Sequence, residues 1–290
     1  MIIINLKGGL GNQMFQYATG LSLAFKNNDE LLVDNRGYFD HRILNSDIPR
    51  KYGLNCFNIS AKVATYEQIQ KHKYPLGFLS KIICIINKKV FRKYYLDFHP
   101  EILDQKGDIY LEGFFQSEKN FLEIRPLILK EFTLKKEIFN ADFLAEISQN
   151  DSVAVHIRRG DYITDKKTKK YHGTCTKEYY FNAIEMMKHQ IPHAIFYFFS
   201  DDINWVRENF NIDNVKMKIG TDPNLSDCEE LILMSKCKHQ IIANSSFSWW
   251  GAWLNNNKNK IVLVPSKWMS KIPDPHPNII PKSWTTVQIN

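Results

Sequence analysis

Two adjacent guanidiniums and a carboxylate, Arg158, Arg159 and Asp161, follow directly on the apolar run Val153–Ile157. Arginine is a permanently charged planar fork that suits phosphate oxygens. Asp161 can orient one of those forks, or hydrogen-bond a sugar or base. The alternative for this trio is a structural ion pair at a strand end, because structural networks also gather charge. Arg159-Gly160-Asp161 is an adhesion tripeptide too, but the strand ahead of it places it at a sheet edge rather than on an exposed loop tip. The same order, apolar run and then functional groups, recurs twice. Ser200-Asp201-Asp202 follows Ala194–Phe199, and Asn244-Ser245-Ser246-Phe247 follows Gln240–Ala243. The first of these supplies carboxylates and a hydroxyl. The second sets hydroxyls and backbone N–H groups at a helix start, a ready anion site. Singly, each cluster would serve as a helix cap. Together they combine phosphate-binding with base- or ribose-binding groups, a composition that suits a nucleoside diphosphate. Asp201 and Asp202 are not expected to hold a metal, since two adjacent carboxylates on one loop lack the further ligands an ion needs. His156, His172 and His239 are each expected to be structural rather than catalytic, His156 least so. Trp249, Trp250 and Trp253 are expected in the core.

Those groups need elements to hold them. From Val153 onward strands alternate with helices: strands at 153–157, 194–199, 215–219, 240–243 and 261–264, and helices between them. Thr176 is expected to cap a helix running to His189, and Asp227 with Glu230 to form a box-like cap for Cys228–Cys237. This alternation means an α/β fold with a parallel sheet covered on both faces, in which ligands bind beyond the strand C-terminal ends. The N-terminal half opens similarly. Ile2–Leu6 is a strand, Gly8-Gly9-Leu10-Gly11-Asn12-Gln13 a turn, and 13–26 a helix with Asn12 as N-cap. Met14, Tyr17, Ala18, Leu21 and Phe25 form its apolar face, and Leu31–Val33 is a strand ending at Asp34. Strand, glycine turn, helix, strand and acid also outline a dinucleotide-binding fingerprint. Gly9 and Gly11 fit it, but Met14 stands where a third glycine belongs. An NAD-type oxidoreductase built on Gly9, Gly11 and Asp34 is therefore the alternative function. Further on, 108–111 reads as a strand and 121–132 and 138–147 as helical, with Pro126 a kink or boundary. The polar Ser148–Ser152 divides a domain at 1–150 from one at 151–290.

With 290 residues and 44% hydrophobic content the chain can bury a full core. The net charge of +7 favours an anionic partner: a nucleotide-bearing substrate, nucleic acid or an anionic membrane face. Nucleic acid has only that charge behind it. The five cysteines form no C-x-x-C pair, so neither a disulfide framework nor a zinc site is expected, and a reducing, cytoplasmic setting is. Met1–Leu6 is too short for a signal peptide, and no stretch is long enough to span a bilayer. Tyr66–Leu96 mixes Phe78, Leu79, Ile82 and Ile83 with seven basic residues, Lys71 to Lys93. It reads as helix packed on the first domain with a solvated basic face, or as a patch in peripheral contact with the anionic inner membrane face.

His156-Ile157-Arg158-Arg159-Gly160-Asp161-Tyr162 resembles the first signature of the α-1,2-fucosyltransferases of glycosyltransferase family 11. Phe198-Phe199-Ser200-Asp201-Asp202, with Trp205, resembles the second. Ser235–His239 together with Ala243-Asn244-Ser245-Ser246-Phe247-Ser248-Trp249-Trp250-Gly251-Ala252-Trp253-Leu254 resembles the third. Gly8–Ala18 and Gly113-Phe114-Phe115-Gln116-Ser117 are similar to that family as well, so the resemblance runs from about Ile4 to Val264. It implies a GT-B arrangement, two Rossmann-like domains with parallel sheets facing across a cleft, the second holding the donor. It implies GDP-β-L-fucose as donor, no required metal, and transfer to the 2-hydroxyl of a terminal galactose. By motif, Arg158 would stabilise the leaving GDP, and Asp161 would position Arg158 or contact the donor. Ser245, Ser246 and Phe247 would bind phosphate, beside Asn244. Asp201 or Asp202, next to Ser200, would contact guanine or ribose. Gly11 and Asn12 would approach the donor from the first domain, and His156 and Arg159 complete the donor set. Asp34, Asp40, Glu112 and Gln116 are the acceptor-side candidates, the first three also candidate bases.

Overall fold

The computed structural model describes residues 1–39, 50–75, 77, 79–80, 95–136, 141–160, 163, 165, 173–212, 214–270 and 276–289. The chain divides into two compact units, Met1–Thr133 and Leu134–Asn290.

In the first unit a continuous apolar run, Ile2 to Ile4, is buried on both faces, as a central parallel strand requires. The unit holds β1 (Ile2–Asn5), β2 (Leu31–Asp34), β3 (Lys62–Val63) and β4 (Ile109–Leu111), all parallel in the order β3-β2-β1-β4. Helix α1 (Leu10–Asn27) links β1 to β2 and buries Met14, Tyr17, Ala18 and Leu21. It lies close on the sheet at Gly20, where a Cβ would stand 2.9 Å from Leu31 Cδ1. Two expectations fail here. The N-cap is Gly9, not Asn12, so the helix starts at Leu10; the Asn12 side chain has another partner, described below. Phe25, in the last turn, is 66% exposed and borders a surface pocket with Leu31 and Leu127. Helix α2 (Tyr66–Lys73) begins with a capping box of Thr65 and Gln68. It covers the start of the basic stretch; residues 76, 78 and 81–94 of that stretch lie outside the described residues. After α3 (Pro100–Leu103), helix α4 (Arg125–Glu131) has Pro126 in its first turn, so the proline opens a helix rather than kinking one.

The second unit carries six parallel strands. They are β5 (Ser152–Ile157), β6 (Ile195–Ser200), β7 (Lys216–Ile219), β8 (His239–Ile241), β9 (Val262–Pro265) and β10 (Thr285–Val287), in the order β10-β9-β8-β5-β6-β7. Among the described residues the helices of this unit include α5 (Ala141–Gln149), α6 (Lys177–Gln190), α7 (Ile203–Asn209), α8 (Asp227–Lys236) and α9 (Ser246–Leu254). α5 joins this sheet: Ile147 is buried in its core, and Glu146 takes Tyr197 Oη at 2.6 Å and Lys218 Nζ at 2.7 Å. Strand alternation sorts the core into two layers. Val153, Val155 and Ile157 pack with Tyr179, Tyr180 and Ile184 of α6. Ala154, Tyr197 and Phe199 pack with Leu233 and Met234 of α8. Thr176 caps α6 as expected, accepting from Tyr179 N at 3.2 Å. The box on α8 sits one residue earlier than expected, on Ser226 and Glu229, which leaves Glu230 out of it. Trp249, Trp250 and Trp253 are core, and Trp249 Nε1 donates to Ile279 O at 2.7 Å. Cys175 and Cys237 are free thiols, whereas Cys56 in the first unit and Cys228 in the second each carry a disulfide bond, against the expectation of an unpaired set. Among the described residues no helix is long and apolar enough to cross a membrane.

Candidate active site

β5 is flanked by β6 and β8, so the three polar clusters stand at neighbouring strand ends. Ile157 pairs with Ser200, and Val155 with Ile241. At the first end Arg158 Nη1 meets Asp201 Oδ2 at 2.8 Å. The other oxygen of Asp201 accepts the Arg159 backbone N–H at 2.9 Å. Arg159 Nε reaches Asp202 Oδ2 at 3.1 Å, and its guanidinium lies 3.8 Å above the centre of the Trp205 ring. Asp202 is in addition the N-cap of α7, accepting from Trp205 N at 3.1 Å, and its own N–H goes to Ser200 Oγ at 3.0 Å. The two aspartates thus orient the two arginines. Asp161, the expected partner of Arg158, lies outside the described residues.

His156 occupies the α8–α9 side of β5, its ring 5.5 Å from that of Phe247. It is 4% exposed, and its Nδ1 has no hydrogen-bond partner. Burial, reinforced by the Arg158 charge, lowers its pKa to about 3, so the imidazole is neutral. An unpaired buried nitrogen is uncommon in native structures. At the third end Ser245 caps α9, accepting from Phe247 N at 3.3 Å, and Ser246 opens the helix. The Asn244 side chain instead pins backbone, donating to Trp268 O at 3.1 Å.

Glu230 is a residue the sequence assigned only to a cap. It is half-buried beside the Thr221 hydroxyl, and its pKa is pushed up to about 7. Burial is the main cause, and Asp227, Asp201 and Asp222 add to it, against the Thr221 hydroxyl. Thr221 Oγ1 accepts from Ser200 N at 2.9 Å, at the end of β6. Its S-x-x-E neighbour, Ser226–Glu229, is the signal that would have separated the two glutamates.

The first unit places its candidates around the glycine turn. Gly8 has φ +79°, a left-handed conformation, and a Cβ there would stand 2.7 Å from Asn12 Nδ2. Asn12 Oδ1 accepts from Gln116 Nε2 at 2.7 Å. Gly11 lies in the first turn of α1. Asp34 is buried and fully engaged: Arg36 Nε and Nη2 donate to its two oxygens at 2.9 Å each, and Tyr110 Oη at 2.8 Å. Burial raises its pKa, but the Arg36 and Tyr110 hydrogen bonds outweigh it, and the carboxyl sits below its ordinary range. Glu112 Oε2 is 3.7 Å from Lys73 Nζ. Asp40 lies outside the described residues. Among the described residues no group of three His, Cys, Asp or Glu side chains is placed to hold a metal ion.

Two parallel α/β sheets, one with cationic forks and a helix start at adjacent strand ends, are the architecture of a GT-B-type glycosyltransferase. The family model for glycosyl transferase family 11 matches residues 1–287, and the chain belongs to that family. It is 33% identical to an alpha-1,2-colitosyltransferase of Escherichia coli over 99% of both chains. It is 34% identical to the O-antigen biosynthesis glycosyltransferase WbnK of Escherichia coli, over 91% of this chain and 94% of that one. A galactoside 2-alpha-L-fucosyltransferase of Bos taurus is 27% identical over 87% of this chain and 63% of its own. In fold the chain is similar to the crystal structure of NodZ alpha-1,6-fucosyltransferase with GDP, at TM-score 0.50 and 15% identity, covering 87% of this chain and 91% of that one.

Proposed function

We propose that this family 11 glycosyltransferase moves L-fucose from GDP-β-L-fucose to the 2-hydroxyl of a terminal galactose, with inversion, in the assembly of a polysaccharide. The observation that carries the site assignment is the Arg158–Asp201 pair beside the orphaned His156 nitrogen and the start of α9. As the glycosidic bond stretches, negative charge grows on the departing diphosphate and positive charge on the sugar. Arg158, already oriented, meets the first without reorganisation, which is where preorganised electrostatics contributes most. The N–H groups at the start of α9, with Ser245, Ser246 and Phe247, supply further donors. A neutral His156 donates or accepts one hydrogen bond without adding charge. Arg159, stacked on Trp205, and Ser200, Asp201 and Asp202 face the nucleoside, and Asn244 holds the loop in register. On the acceptor side, Asp34 is held ionised by Arg36 and is a weak base, Glu112 pairs with Lys73, and a strongly dissociative reaction needs little base strength. Cationic forks and helix amides take the part a divalent ion plays elsewhere, so no metal is required. The basic stretch 66–96 is the proposed point of contact with an anionic membrane face, and the cytoplasm the proposed location.

A second donor is favoured by one observation, the 33% identity with the colitosyltransferase over 99% of both chains. Colitose is fucose without its 3-hydroxyl. Incubating the protein with GDP-fucose or GDP-colitose and a galactoside, followed by linkage analysis, decides between them. An α-1,2-fucosylated product is expected. Transfer from GDP-colitose alone replaces the donor, and transfer from neither refutes both. Calorimetric binding of NADH rather than GDP would restore the oxidoreductase alternative.

A further inference from the structure

Another orphaned group stands beside the glycine turn of the first unit. Gln116 is 6% exposed, and its Oε1 has no hydrogen-bond partner. Its Nε2 is committed to Asn12 Oδ1 at 2.7 Å, which orients the amide and leaves the carbonyl oxygen as the uncommitted end. A buried acceptor without a donor costs free energy, and native structures retain few.

The backbone around Gln116 is itself under constraint. Phe115 is wholly buried and has φ +55°, a left-handed conformation that a bulky side chain rarely adopts. It is held there from several sides. Phe115 N donates to Tyr95 O at 3.2 Å, Gln116 N to Leu96 O at 2.9 Å, and Asn120 Nδ2 to Phe115 O at 3.0 Å. Gly113 cannot carry a side chain, since a Cβ would stand 2.7 Å from Tyr95 O. The bent Gly113–Ser117 segment therefore delivers one amide to the glycine turn, beside Asn12 and Gly8, with its acceptor unfilled.

We infer that Gln116 Oε1 accepts a hydrogen bond from a hydroxyl of a bound sugar, with Asn12 holding the amide in place. The inference rests on the sugar transfer proposed above. A sugar hydroxyl fits because it is a neutral donor; an anionic phosphate oxygen would be repelled by the carbonyl. Two sugars can bring it, the fucose of the donor or the galactose of the acceptor.

Wild-type transfer from GDP-fucose tests the underlying reading by itself. The inference is tested by Gln116→Met, which keeps the shape and removes the acceptor, and by Gln116→Glu, which keeps an acceptor oxygen and is held by Asn12 once the Asn12 amide turns to donate Nδ2 to the new carboxylate. GDP carries neither the fucose nor the galactose, only its own ribose, so its affinity by calorimetry should stay within twofold in both variants. Gln116→Met should lower kcat/KM by about tenfold, the scale of one neutral hydrogen bond, and Gln116→Glu by less. Mono-deoxy donors and acceptors identify the hydroxyl. One of them should cost the wild type and Gln116→Glu about tenfold, and cost Gln116→Met nothing further. A deoxy-fucose donor showing this coupling assigns the group to the donor, and a deoxy-galactoside to the acceptor. Equal losses in the two variants, losses additive with every deoxy analogue, or unchanged kinetics overturn the inference. Should Gln116→Met fail to bind GDP, Gln116→Glu decides: a deoxy penalty like that of the wild type supports the contact, and a vanished penalty overturns it.

Discussion

Asp201 uses both carboxylate oxygens on successive residues of β5's exit, one on Arg158 Nη1 at 2.8 Å and one on the Arg159 backbone N–H at 2.9 Å. The pair fixes the direction of the Arg158 fork before any ligand arrives. Arg158→Ala is expected to lower turnover by on the order of 10²-fold or more, the scale of a deleted oxyanion donor. Arg158→Lys keeps the charge but loses the planar fork, and should fall between. Steady-state kcat with saturating donor measures both, and near wild-type turnover by Arg158→Ala would remove its assigned role.

Gly160 offers a subtler lesion. A Cβ there would lie 2.5 Å from Asp201 Oδ2, closer than any real contact, so Gly160→Ala must push Asp201 away from Arg158. Turnover should fall roughly 10- to 100-fold, since small misplacements of a positioned group are costly. The melting temperature should stay within a few degrees, because no core residue is touched. A variant as active as wild type would show that Asp201 need not hold Arg158.

The half-buried Glu230 and the buried His156 give opposite pH dependences of stability. The Glu230 carboxyl is raised from 4.5 to about 7, so between those values the unfolded chain gives up its proton more readily. Stability contributed by the neutral form is full below pH 4.5 and lost as pH rises through 7. Glu230→Gln should therefore melt about 2–4 °C above wild type at pH 8 and no higher at pH 4.5. His156 is lowered from 6.5 to about 3, so its contribution is full above pH 6.5 and lost as pH falls toward 3. In His156→Gln the acid limb of the stability curve should be shallower. Scanning calorimetry across pH 3 to 8 checks both signs.

Asp34 tests whether its network is structural. Arg36 and Tyr110 occupy both of its oxygens in a buried setting. Asp34→Ala strands the half-buried Arg36 and should cost about 3 kcal/mol in urea unfolding. GDP affinity should be unchanged. A large loss of GDP affinity with stability intact would make Asp34 a ligand group instead.

Metal independence is checked by chelation. Activity after exhaustive EDTA treatment should stay within twofold, and added Mg²⁺ or Mn²⁺ should not raise it. A tenfold loss restored by either ion would mean that the cationic forks do not suffice.

Much of this molecule was legible residue by residue. Ile2–Ile4, Val153–Ile157 and Ala194–Phe199 are β-branched or aromatic runs, and hydrophobic burial leaves such runs little choice but a central parallel strand. Thr176 capped its helix as its side chain dictates. The clusters at 158–161, 200–202 and 244–247 could be marked as strand ends from the polar break alone. Short edge strands could not: Lys62–Val63 and Thr285–Val287 carry no apolar signature, and form only because a neighbour offers hydrogen bonds. Nor could the cap of α8 be chosen between Ser226–Glu229 and Asp227–Glu230. Both obey the same local chemistry, and in the fold Ser226 and Glu229 form the box. Glu230 is left beside Thr221. Asn12 likewise has the chemistry of a cap, and leaves it for Gln116, 104 residues away. Residue types, strands and turns follow from short-range sterics and hydrophobicity, which act between near neighbours along the chain. That Asp201 meets Arg158, and that Gln116 meets Asn12, follows from the order of strands in each sheet. That order minimises exposed surface over the whole domain, and no local stretch encodes it.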